Sequence, residues 1–91
     1  MQIRGVVRVA QLQEHPPGSD RIEMVLSVQG VGPSQPRRLV IPYEFLVREE
    51  GLEPESVVGR GFLAEVGQDA ERRWVIHEWT LAPQSVLRPE T

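Results

Sequence analysis

The stretch RIEMVLSVQ, residues 21–29, alternates without a break. Ile22, Met24, Leu26 and Val28 fall on one side, and Arg21, Glu23, Val25, Ser27 and Gln29 on the other. That is the period of a strand with one buried face, since successive side chains of an extended chain point to opposite sides. Similar stretches recur along the chain, and the turn-forming residues between them leave no room for a long helix. This patterning, more than any single motif, restricts the chain to an all-β fold.

The first such stretch, QIRGVVRVAQ, sets Ile3, Val7 and Val9 on one face against Arg4, Val6 and Arg8 on the other. The run HPPGSD that follows is a turn by residue chemistry. GVGPSQP forms a second loop after the central strand, and both loops are expected to be mobile because neither carries an apolar anchor. RRLVIPYEF reads as a third strand, with Leu39, Ile41 and Tyr43 inward, Arg38 and Val40 outward, and Pro42 marking a strand end. EFLVREEGLEPESVVG has some helical character, but Gly51 and Pro54 interrupt it, so at most one short helix is expected between strands three and four. GRGFLAEV is a fourth strand, GQDAE a hairpin loop, and RRWVIHEWTLA a fifth strand. A five-stranded antiparallel set of this size closes most economically as a Greek-key barrel, the oligonucleotide-binding (OB) fold. An open sandwich is the competing arrangement. The barrel is expected to occupy residues 1–83, with 84–91 as a loosely ordered tail.

The 91 residues suffice for one domain with a single core. Cysteine is absent, which excludes disulfides, thiol catalysis and cysteine metal sites. No apolar run approaches membrane-spanning length and no signal pattern opens the sequence, so a cytoplasmic protein with no membrane association is expected. His15 and His77 have no partner at metal-ligand spacing, the serines and threonines sit in no nucleophile motif, and no glycine loop cradles phosphate. Neither an enzyme nor a cofactor is implied; binding is.

The net charge of −3 hides an asymmetry. Residues 1–48 hold six arginines and four acids, and residues 49–91 four arginines and nine acids. Every basic residue is arginine, whose planar fork pairs with phosphate and stacks on bases. Arg4, Arg8, Arg21 and Arg38 lie on the outward sides of the first three strands, and Arg72, Arg73 and Trp74 stand at the start of the fifth. A basic groove with stacking planes is what single-stranded nucleic acid requires. Trp74 and Trp79 are five residues apart, an odd separation that puts them on opposite faces of a regular strand. At most one then belongs to the core. Val75 and Leu81 favour Trp79 for the buried or interface side and Trp74 for the exposed role, although Ile76 leaves the inverse open.

Four stretches in order carry a resemblance to a known family: GVVRVAQL followed by PPG, then EMVLSV, then GRGFLAEV, then WVIHEWTL. Together they resemble the primosomal replication protein N (PriB) family, dimeric relatives of bacterial single-stranded DNA-binding proteins, over most of residues 3–81. The resemblance implies an OB-fold homodimer that binds single-stranded DNA as an accessory of primosome assembly and replication restart. Its implied partners are the restart helicase and other primosome proteins. Arg73 matches the family's basic position at the loop between strands four and five. Arg38 matches a tryptophan that begins the third strand in the best-known form. The loop that is lysine-rich in strong binders reads GQDAE here, which implies fewer phosphate contacts and a weaker, less salt-dependent interaction. The nucleic-acid-binding residues expected are therefore Arg38, Arg72, Arg73 and Trp74, with Arg4, Arg8 and Arg21 on the same sheet. The acidic half of the chain favours the alternative, an OB-fold protein–protein adaptor in a replication or repair complex with little DNA affinity.

Overall fold

The computed structural model describes residues 1–83; the expected tail, 84–91, lies outside the described residues. Five strands, β1 (Gln2–Glu14), β2 (Ile22–Gln29), β3 (Arg38–Ile41), β4 (Gly61–Gln68) and β5 (Trp74–Leu81), form a closed barrel in the order β1-β2-β3-β5-β4. Every pairing is antiparallel except that of β3 with β5, which is parallel through Val40 and Val75. The expectation of a wholly antiparallel barrel is corrected on that point. The chain crosses over between β3 and β4, so β5 returns alongside β3 in the same direction. The arrangement is an OB-like barrel.

The crossover holds two short helices rather than at most one: α1 (Tyr43–Arg48) and α2 (Pro54–Val57). Gly51, at φ +82°, separates them, in the left-handed region that glycine enters without a Cβ penalty. Pro54 opens α2 at a position where its missing N–H costs nothing, and Ser56 Oγ accepts the Glu53 backbone N–H at 3.1 Å. Phe45 from α1 and Val57 from α2 are buried among Ile3, Val7, Met24, Leu26, Leu39, Ile41, Phe62 and Ile76. Both helices thus contribute to the barrel core. No helix among the described residues is long and apolar enough to cross a membrane.

Two bulges change which side chains face inward. In β1 the pairing steps from Val7↔Val28 to Val9↔Ser27, so Arg8 is the extra residue. Beyond it Val9 turns outward and is 47% exposed, contrary to the inward position that strict alternation assigns it. In β5 the pairing steps from Val66↔Ile76 to Glu65↔Glu78, leaving His77 unpaired. Met24, Leu26, Val28, Leu39 and Ile41 are buried as their alternation demands. Ile22 has the same parity but is exposed. Like Leu12, it sits on the part of the β1–β2 hairpin that continues past the end of β4's pairing with β1.

Of the two loops expected to lack an apolar anchor, the first is tied by polar contacts, and only the second also has an apolar one. The Glu14 carboxylate accepts the backbone N–H groups of Gly18 and Asp20 at 2.8 and 2.9 Å, closing the HPPGSD turn. In the β2–β3 loop Gln35 accepts from Gly32 N–H and donates to the Gln2 carbonyl, while Val31 packs against the core.

Candidate nucleic-acid interface

The outer face of β1, β2 and β3 carries two adjoining shallow grooves that share Arg38. Val9, Gln11, Val25 and Ser27 line the first, and Gln13, Val40, Arg73 and Trp74 the second. Arg38 is exposed and sits across from Ser27, which itself pairs with Val9 beside the Arg8 bulge. The bulge thus places Arg8 one strand away from the Ser27–Arg38 pair. Arg8, Arg38 and Arg72 are exposed and make no ion pair with the described residues. Arg72 adopts a left-handed conformation, φ +66°, at the tip of the β4–β5 loop.

Arg73 does something different from what its sequence position suggests. Its Nη1 and Nη2 donate to the two carboxylate oxygens of Glu23 at 2.7 and 2.9 Å, and its Nε donates to Asp69 Oδ2 at 2.9 Å. A two-pronged arginine–carboxylate pair of this kind is among the stronger charge-assisted contacts. Hydrogen bonding to Glu23 raises the guanidinium's affinity for its proton; burial opposes this, and Asp69 adds to it. Glu23 is expected outward from the alternation of β2, and it does point outward. It is nonetheless buried, 5% exposed, because the β4–β5 loop folds over the outer face and Arg73 covers it. The same loop and the Val75 pairing cover Val40, which is buried although its parity is outward.

Asp69 organises that loop. Its Oδ1 accepts the backbone N–H groups of Glu71 and Arg73 at 2.9 and 2.8 Å. Its main chain exchanges hydrogen bonds with Arg73 O and Arg72 N–H. Burial pushes the Asp69 carboxyl upward, but the Arg73 backbone N–H and guanidinium outweigh it and hold the group below its usual range. The loop also meets the β1–β2 turn, where His15 Nε2 lies 3.0 and 3.1 Å from the two oxygens of Glu71. Asp69 is the residue sequence reading missed, along with the pairing of Glu23 to Arg73. An aspartate four positions before an arginine, in a loop after a strand, is the one signal that could have pointed to the turn.

Trp74 and Trp79 both pack against the core, correcting the expectation that at most one could. The His77 bulge between them shifts parity by one, so the odd spacing returns both to the same side. Trp79 meets Phe45 edge-on at 6.2 Å and Phe62 at 6.4 Å. Trp74, at the open end of β5, keeps part of its ring in the second groove.

The other two arginines are placed elsewhere. Arg4 pairs across from Leu63 and lines a separate groove with Gly61, Phe62, Thr80 and Ala82. Arg21 pairs with Glu44 and lies over the Tyr43 ring, 4.7 Å from its centroid. The Glu44 carboxyl is held below its usual range by its own backbone N–H and by Arg21. Among the described residues, no group of three or more histidine or acidic side chains is arranged to hold a metal ion. Compared with family models, with curated proteins and with solved structures, the chain matches none. The likeness to the PriB family therefore rests on the four sequence stretches.

Proposed function

We propose that the protein is a cytoplasmic, non-enzymatic accessory factor that binds single-stranded DNA on the outer face of β1–β2–β3. The primosome and replication restart are its context by resemblance. The observation that carries this reading is the sharing of two grooves by Arg38, with the part-exposed ring of Trp74 at one end and Arg8 near the other. A cation between an apolar-floored groove and an indole suits a phosphate flanked by a stacked base. The face is also the one that OB barrels present between their first and last loops. Arg72, on the loop tip, adds a phosphate contact. Fluorescence anisotropy of labelled oligo-dT across a salt series tests the reading.

The homodimer belongs to the same proposal, with a revised basis. Val40, although its parity is outward, is buried within the chain and offers no apolar surface for association. What remains is β1. It pairs with β4 only over Gln2–Val6, so beyond Val7 one lateral edge has no strand beside it among the described residues. Val9 and Leu12 on that stretch are 47% and 53% exposed. An open edge with apolar side chains is a template for a second strand. Sedimentation at micromolar concentration should give the dimer mass, and a monomer there contradicts this part.

A specific feature favours the adaptor as second reading. Glu23, Asp69 and Glu71 gather where the β4–β5 loop meets the face, and they oppose a polyanion. Absence of oligo-dT binding at low salt would leave the adaptor alone.

A further inference from the structure

We infer that Glu23 sets the affinity of this face for a phosphate backbone, by occupying the fork of Arg73 that a phosphate would otherwise take. The inference rests on the single-strand reading above and concerns how strongly that site binds.

Both terminal nitrogens of Arg73 are matched one-to-one by the oxygens of Glu23, at 2.7 and 2.9 Å. A carboxylate and a phosphate present the same pair of oxygens to a guanidinium, so the two compete for one set of donors. Asp69 holds the third nitrogen, Nε, and the backbone of the loop as well. It fixes where Arg73 stands, whereas Glu23 decides what its fork contacts. Arg73 also lines the groove with Arg38 and Trp74, so the fork, once released, faces the same ligand. A phosphate entering there must leave the Glu23 carboxylate, 5% exposed, without its partner in a poorly solvated place. That is unfavourable enough for the internal pair to prevail. Arg73 is thereby withheld, and the face binds through Arg38, Arg72 and Arg8.

Removing the charge of Glu23 while keeping its shape should reverse this. Glu23→Gln is expected to bind oligo-dT about fivefold more tightly at low salt, with the log–log salt slope steeper by about 0.7, the value for one added single-strand phosphate contact. Glu78→Gln makes the same change in net charge on a strand residue that holds no arginine, and should leave affinity and slope near those of the parent. In the Glu23→Gln/Arg73→Ala double variant the gain should vanish. The unsubstituted protein supplies a readout independent of any substitution. On addition of oligo-dT, the side-chain NMR signals of Arg38 should shift while those of Arg73 hold their positions. If the parent binds but Glu23→Gln matches it at every salt concentration, or if Arg73 shifts in the parent as far as Arg38, Glu23 is not the competitor and the inference fails alone. If neither protein binds at low salt, the single-strand reading fails with it.

Discussion

Trp74 and Trp79 lie five residues apart on one strand, yet both rings pack against the barrel core, because His77 is a bulge between them. Their burdens differ. Trp79 sits edge-on to Phe45 and beside Phe62, whereas Trp74 sits at the strand's open end with the groove on one side.

Trp79→Ala should therefore cost the larger share of stability, about 2–3 kcal/mol, somewhat below the range for fully buried aromatics. Trp74→Ala should cost about 1 kcal/mol. Urea denaturation of the two variants checks the order, and a greater loss for Trp74→Ala would mean the packing is misassigned.

Gly5 is a position where backbone space, and not conformation, demands glycine. A Cβ there would stand 2.6 Å from the Gln29 carbonyl oxygen and 3.0 Å from Val31 Cγ1. Neither neighbour can yield easily: one is strand backbone and the other is packed on the core. Gly5→Ala should lose about 1–3 kcal/mol. At Gly67 a Cβ would meet His77 Nε2 at 2.8 Å, the far end of an exposed side chain that can swing away. Gly67→Ala should change stability by less than about 1 kcal/mol. Thermal unfolding of the pair distinguishes a backbone clash from a movable one.

Part of this architecture is legible in the sequence and part is not. The alternation at Met24, Leu26 and Val28 and at Leu39 and Ile41 reports burial directly, because those strands are regular over these residues. Val9 and the tryptophan pair defeat alternation, since a bulge inserts one residue and reverses everything beyond it without a glycine or proline to announce it. Glu23 and Val40 fail for another reason. Their outward parity is right, and a loop from the far end of the chain then folds over them. Arg38 and Trp74, both legible as candidates, do line one groove. Arg73 is beside them, but what its donors contact depends on Glu23, fifty positions away, which no local pattern encodes.

Acid should loosen the loops before the barrel. Two N–H groups, from Gly18 and Asp20, hold the Glu14 carboxyl below its usual range, and Asp69 is likewise depressed. A carboxyl whose folded value is depressed contributes stability above its unfolded value, near 4 for these residue types, and loses that contribution as pH falls through the folded value. Amide exchange at Gly18, Asp20 and Glu71, corrected for intrinsic rates, should therefore accelerate below about pH 4 while Leu26 stays protected. Uniform behaviour of loop and core would show that these carboxylates do not hold the turns.

If the proposed function holds, a phosphate backbone and at least one base occupy the face shared by Arg38 and Trp74. The direct measurement is the anisotropy of labelled oligo-dT over a salt series, for the parent and for Arg38→Ala, Trp74→Ala and Arg4→Ala. Arg38→Ala should weaken binding by about 1 kcal/mol and flatten the salt slope by roughly 0.7. Trp74→Ala should weaken it by about 1–3 kcal/mol with the slope unchanged, and Arg4→Ala, on the groove beside β4, should match the parent. A parent that binds while Arg38→Ala and Trp74→Ala bind equally well at every salt concentration would contradict the site, and a parent that does not bind at low salt would contradict the function.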